Sequence, residues 1–435
     1  MSKLKLKKQT ISNFVDNEYR NFALYALEFR AIPSFYDSLT NVRRFIVQYT
    51  PNSFIKCDAV IGACMGTGLY HHGPASLGNS INGLAQDYMC ADKILDGSGF
   101  FGNAIDSEAS ATRYTSVKLN AQAKEHLKKY SSLNSTNENG WNPLKMEIPI
   151  GICSYITGIA LGYSCSMLPR KLEHVQEYLD GKRKSLKPYL MNFKGKIIKN
   201  VDNPDRSSWK VLPVIEIDES KRTIHVTEIS PSISYSTYVK KINNLIDTYN
   251  CSVVNNTRES IDIKLKFPRK TTDADWDKIV SKIDKDSTAT ITENILFIKD
   301  SSVLQYNKIE DYLDDFKNYR EFLYLEKMEY DLVVLDSELE FLKAKKEYLE
   351  FMMEKKRKQD EIEKFLSKYS KEIYSRLDSL KLRLLNNEYL KKTIQEIEDY
   401  KKDIKSKNKE IVSQRKTCSK IKDIIIKAKT SKINA

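Results

Sequence analysis

Between Leu325 and Leu349 the apolar residues Leu325, Met328, Leu332, Leu335, Leu339, Leu342 and Leu349 keep the alternating three-and-four spacing of a coiled-coil seam, with Lys346 as its one break. Such a seam is buried only against another long helix. Leu390, Ile394, Ile397, Ile404 and Ile411 supply a second seam in the same chain, with Lys401 and Asn408 at two of its positions. The section 353–388 between them is not periodic. The spacing predicts an antiparallel hairpin with arms at 311–352 and 389–435, the seam along each being about 40 Å long at roughly 1.5 Å per residue. A compact cap at 353–388 joins them.

The rest of the chain has another character. With 435 residues and 41% hydrophobic content it is long and apolar enough for more than one packed domain. Its 71 basic residues against 58 acidic ones leave a net charge of +13, which favours a polyanionic partner such as nucleic acid. The seven cysteines are odd in number, scattered and free of CxxC pairs, so they read as reduced thiols of a cytosolic protein rather than zinc ligands. The basic start, Met1 to Lys8, lacks the apolar core of a signal peptide and reads as an exposed arm. One uncharged run, 148–168, is long enough to span a bilayer. Pro149, Gly151, Gly158, Gly162 and several hydroxyl side chains argue against that, and a buried strand-turn-strand is expected instead.

Taken in order, 16–29 carries apolar residues at helical spacing (Tyr19, Phe22, Ala23, Ala26, Leu27), and Pro33 follows, so Arg30 is expected at a helix exit. Arg43 and Arg44 follow a set of cap-type residues and, on local pattern alone, belong to a solvated face. Next comes Tyr70-His71-His72-Gly73, with Pro74 suited to the first helical position. The helix it opens has Leu77, Ile81, Leu84, Ala85 and Tyr88 on its apolar side. Small polar residues, Ser76 among them, occupy the remainder and suit close approach to a phosphate backbone. A helix start beside two histidines is also an anion site.

Beyond the glycine-rich turn Asp96-Gly97-Ser98-Gly99-Phe100-Phe101-Gly102 lies Arg113-Tyr114. A phenol ionises near pH 10 and is a weak nucleophile at neutral pH; an adjacent guanidinium stabilises both the phenolate and charge developing on a phosphate. A polar insert, 131–140, follows. In the middle of the chain, 215–218 and 223–229 read as paired strands, Tyr235–Tyr249 as a helix and 261–267 as another strand. The triplet Asp273-x-Asp275-x-Asp277 has the look of a metal motif, but it follows Pro268-Arg269-Lys270 rather than an apolar strand. It is read as the acidic first turn of a helix.

Five motifs in this order, RAIP at Arg30, YHHG at Tyr70, the glycine-rich turn, Arg113-Tyr114 and GIALG at Gly158, resemble the type IIA DNA topoisomerases. The pattern is nearest their DNA-cleaving, gyrase A-like subunits, which include the medium subunits of T-even-type phage enzymes. The resemblance implies an α+β multidomain chain: an N-terminal arm and winged-helix DNA breakage-reunion core at 1–185, an α/β tower domain at 186–310, and the long antiparallel coiled coil with a C-gate dimerisation cap. Tyr114 would be the nucleophile that retains the 5′ end of a broken DNA strand, and Arg113 would steady the phosphate. Arg30 and His72 would contact the scissile phosphate, His71 and Arg44 would be further DNA contacts, and Ile159 would wedge between base pairs. Thr40 stands where the family usually has a lysine, with Arg43 as the candidate replacement. Ala75 and Asn79 stand where bacterial gyrases carry their quinolone-binding residues, so weak quinolone sensitivity is expected.

The resemblance also implies partners. Double-stranded DNA is the substrate, two copies pair through the C-gate, and a separate subunit carries the ATPase and TOPRIM domains that bind ATP and most of the Mg2+. No GxxxxGK loop occurs in this chain. The expected activity is ATP-dependent relaxation and decatenation through transient double-strand breaks, since no room is left for a DNA-wrapping domain. The expected location is the cytoplasm, that of a host if the chain is phage-encoded, on DNA and away from membranes. Basic charge and a helical hairpin alone would equally suit a non-catalytic, architectural DNA-binding protein, and a partner-independent tyrosine recombinase or nuclease is a third reading.

Overall fold

The computed structural model describes residues 10–134, 142–202, 206–354, 358–379 and 387–433. The basic start of the chain and most of the insert 131–140 lie outside these. Two compact units are present, one ending at Tyr319 and the other starting at Arg320.

In the first unit the helices Asn41–Tyr49, Cys57–Gly66 and Pro74–Ala85 pack on one another. Their buried sides, Val42, Phe45 and Ile46, Val60 and Cys64, and Leu77, Ile81 and Leu84, form one core. Pro74 is the first helical residue, as its fixed φ and missing N–H favour. The helix ends at Ala85 with an extended Gln86, so Tyr88 falls outside it. Against these helices lies an antiparallel sheet in which Ser116–Leu119 is central, between Ile55–Lys56 and Leu95–Ser98. That strand begins two residues after Tyr114.

The uncharged run folds as the expected hairpin, Ile156–Ala160 paired with Tyr163–Met167 around Leu161-Gly162, where Gly162 takes φ +79°. Its base is buried through Ile156, Cys165 and Met167, but its tip is not: Ile159, Leu161 and Tyr163 are exposed. Among the described residues no helix is long and apolar enough to cross a membrane.

A four-stranded antiparallel sheet follows, ordered Ser252–Asn255, Ile263–Lys266, Thr223–Glu228, Val214–Asp218. Alternate residues such as Ile224, Val226, Ile263 and Leu265 meet Tyr238, Ile242 and Leu245 of the helix Tyr235–Tyr249 and Trp276, Ile279 and Ile283 of the helix Asp273–Ser287. A second sheet orders Ala289–Thr292, Ser208–Leu212, Lys196–Lys199. Beside it a buried ion pair, Arg170 Nη1 to Glu293 Oε1 at 2.7 Å, is completed by donors from Ser207, Trp209 and the backbone of Leu168. Pairing of this kind offsets much of the cost of removing both charges from water, although Arg170 Nε itself has no partner among the described residues.

The second unit holds most of the helix Ile309–Glu354 and all of Asn387–Ile433. They run antiparallel, with Asp336 2.7 Å from Arg415 and further ion pairs joining Glu338 to Lys407 and Glu329 to Lys422. Every seam residue named from Leu325 to Leu349 is buried or half-buried, as is Ile411. The side chains of Leu390, Ile394 and Ile397 lie outside the described residues. The non-periodic section contains two short helices, Gln359–Leu366 and Lys371–Asp378, whose Ile362, Leu366, Ile373 and Leu377 close a small core with Ala344 and Tyr348.

Candidate functional site

From Ile11 to Ala31 the backbone is helical without interruption, but two stretches, Val15–Tyr19 and Leu27–Ala31, are π-helical. In an α-helix residues five apart point about 140° away from each other, whereas a π turn closes over five residues. The second π stretch therefore brings Tyr25 and Arg30 to one side, and both meet His72. Arg30 Nη2 lies 2.7 Å from His72 Nδ1 and 3.2 Å from Nε2; the Tyr25 hydroxyl is 3.2 Å from Nε2. Tyr70 and Phe29 turn their ring edges toward the imidazole. Desolvation, helped by Arg30 and His71, lowers the His72 pKa and keeps the ring neutral near pH 7. Burial raises that of Tyr25.

The second cluster is built from the loop before the central strand. Tyr114 N–H donates to the Ala111 carbonyl at 2.8 Å, closing a tight turn. Thr115 behind it is fully buried. Its hydroxyl donates to Cys57 Sγ at 3.1 Å, and its carbonyl accepts from Cys57 N–H at the same distance. Gly99, at φ +112°, and Gly78 lie close against Thr115 and Thr112. The glycine-rich turn thus packs protein rather than presenting bare backbone at this point. Held from behind, Tyr114 leaves 66% of itself exposed, with the Arg113 guanidinium 4.8 Å above its ring.

Next to the π stretch stands the hairpin. Gly158 meets the Ala31 backbone directly, and Ile159 at the tip is 84% exposed. His71 and Ser76 are exposed at the start of the helix Pro74–Ala85, as are Ala75 and Asn79.

Arg44 departs from both expectations set by the sequence. It is 1% exposed, donating through Nε to Asp37 Oδ2 at 2.6 Å and through Nη2 to the Leu39 carbonyl, with Asn41 as a further acceptor. Asp37 is itself fully buried and also accepts from Leu144 N–H, so it needs an internal counter-cation. Arg44 is therefore neither a DNA contact nor part of a solvated face. Arg43 is half-buried with its guanidinium turned inward, Nη2 donating to the Tyr155 carbonyl at 3.1 Å. It supports the hairpin and does not replace a surface lysine at Thr40.

Thr272 caps the helix Asp273–Ser287 by accepting from Asp275 N–H at 3.2 Å, and Asp273 pairs with Arg222. The acidic triplet is a helix start. Among the described residues no group of three His, Cys, Asp or Glu side chains is arranged to hold a metal ion. Tyr25 escaped the sequence reading, because a helix assumed to be α-helical throughout separates it from Arg30.

The fold is that of the DNA-binding, cleavage and re-ligation domain of Plasmodium falciparum topoisomerase II, with a TM-score of 0.77 over 97% of this chain and 65% of that one at 18% identity. The likeness is one of fold. A family model for the A subunits of DNA gyrase and topoisomerase IV matches residues 30–427, and the chain belongs to that family. It is 25% identical over 340 residues to the DNA topoisomerase medium subunit of Enterobacteria phage T4, covering 73% of this chain and 75% of that protein. It is 27% identical over 365 residues to DNA topoisomerase 2 of Arabidopsis thaliana, covering 77% of this chain but 24% of that protein. The chain thus spans three quarters of the phage protein but only about a quarter of the plant enzyme.

Proposed function

We propose that this chain is the DNA-cleaving and rejoining subunit of an ATP-dependent type II DNA topoisomerase and that Tyr114 is its nucleophile. The observation that carries the reading is the placement of Tyr114, a phenol exposed to solvent on a loop anchored from behind and covered by a guanidinium. The phenolic oxygen attacks a backbone phosphorus, its proton leaves, and the bond from phosphorus to the 3′ oxygen breaks as that oxygen gains a proton. The 5′ end stays on Tyr114. Attack by the 3′ hydroxyl reverses the step and reseals the strand. Arg113 stabilises the charge on the phosphate, and the Arg30–His72 cluster binds it from another element. Ile159, on a rigid hairpin, enters the base stack and bends the duplex, at a cost of a few kcal/mol for unstacking. His71 and Ser76 contact the backbone nearby.

Magnesium and ATP belong, on this reading, to a partner subunit with TOPRIM and ATPase domains. Two copies of this chain supply one tyrosine to each strand and pair through the cap at 353–388, at the end of a coiled-coil hairpin. The segment 1–185 serves as arm and winged-helix core and 186–310 as tower. The complex acts on DNA in the cytoplasm, relaxing and decatenating it.

The test uses end-labelled duplex DNA with magnesium, with and without the ATPase/TOPRIM subunit, followed by denaturant and protease. Protein-linked 5′ ends that need both subunits and vanish in Tyr114→Phe support the reading. Absence of covalent DNA from an assembled complex would leave an architectural DNA-binding role, and cleavage by this chain alone would indicate a recombinase or nuclease.

A further inference from the structure

The loop that leads into Arg113-Tyr114 is braced from within. At its base Ser110 N–H donates to the Phe100 carbonyl at 3.0 Å. Near its tip Asn103 N–H donates to the Asp106 carbonyl at 2.7 Å, and the Asn103 side chain accepts from Ile105 N–H at 2.9 Å and from Asp106 N–H at 2.7 Å. Gly102 lies between at φ +83°, where a Cβ would stand 2.8 Å from the Ser107 carbonyl oxygen. A loop closed twice in this way is a compact unit rather than a slack connection.

Its two ends are seated in different cores. Phe101, at the base, is buried in the core of the helices Asn41–Tyr49, Cys57–Gly66 and Pro74–Ala85. Ile105, at the tip, packs against the core of the four-stranded sheet and its two helices, all of whose other described residues come from 215–283. Cavities of about 330 and about 400 Å3 open beside Ile105, between the loop and residues 228–236 and 259–261. The join is therefore narrow, and Ile105 is its apolar contact. Asp106 and Glu108 beside it are exposed. A DNA backbone would repel both carboxylates, so the tip is built to meet the sheet and not the duplex.

We propose that Ile105 is a positioning residue for Tyr114: seated in the core of the sheet, it fixes the loop whose base runs into the turn 111–114, and so sets where the phenol stands relative to the scissile phosphate. This rests on the cleavage reading above. Ile105 itself touches neither substrate nor reacting atoms. Its effect is on rate, because a nucleophile displaced by about 1 Å can lose about a hundredfold.

Ile105→Ala removes the contact and Ile105→Val keeps most of it. Covalent product is followed in time with the complete complex in excess over end-labelled duplex and with magnesium; DNA affinity is read from the anisotropy of a labelled duplex without magnesium. Ile105→Ala is expected to cut with a rate constant about tenfold lower at unchanged Kd, and Ile105→Val to cut nearly as fast as wild type. A merely structural role would lower the fraction of complexes that cut while leaving their rate constant alone. A wild-type rate constant in Ile105→Ala, whatever the fraction cut, would overturn the assignment. So would a Kd weakened as much as the rate, which would make the loop a DNA contact. Absence of covalent product from wild type would overturn the cleavage reading itself, and this one with it.

Discussion

A Cβ on Gly158 would stand 2.1 Å from the carbonyl oxygen of Ala31. The hairpin at 156–167 and the end of the π stretch therefore share a backbone contact that admits no side chain. Gly158→Ala must push backbone apart and is expected to cost about 1–3 kcal/mol of stability. A lowered Tm together with slower covalent-complex formation checks this; an unchanged Tm would mean that the contact yields freely.

Two arginines that the resemblance assigns to DNA are expected to behave oppositely. Arg44→Ala leaves Asp37 buried without its cation and should cost about 3–5 kcal/mol in denaturant unfolding. Arg113→Ala, at an exposed position, should leave the unfolding curve in place and reduce DNA cleavage.

Ile159 makes the hairpin tip apolar without contributing to the core. Ile159→Ala is expected to fold as stably as wild type. Energy transfer between dyes at the two ends of a bound duplex should report less bending.

His72 gives stability a pH dependence of definite sign. Its folded pKa lies below the ordinary 6.5, so the unfolded chain takes up the proton first as pH falls. The contribution is complete above that ordinary value and is lost as pH drops through the folded one. His72→Gln removes the titration. Between about pH 8 and about pH 5 wild type should lose more Tm than the variant, and parallel curves would contradict the assignment.

Local pattern made much of this fold legible. Tyr235–Tyr249 is read residue for residue, because Ser234 caps its start and Asn250, at φ 52°, ends it. Gly162 and its neighbours announce the hairpin in the same way. The misreadings and omissions share one cause, dependence on partners far away in sequence. Arg44 turns inward because Asp37 is buried and also accepts from Leu144, and the Arg170–Glu293 pair joins residues 123 apart. Ser38 adopts φ 55°, and its hydroxyl is met by Tyr312, on a helix that starts at Ile309. At the site, Tyr114 and Ile159 stood out by their settings. Tyr25 did not, because an apolar period of 3.6 conceals a π turn.

All seven cysteines are buried in the folded chain. Maleimide dyes should therefore find little to react with in the native protein, and one cysteine introduced at an exposed site away from the hairpin, such as Val254, would carry nearly all the label. The wild-type background is already prepared for following one chosen position as the protein meets DNA.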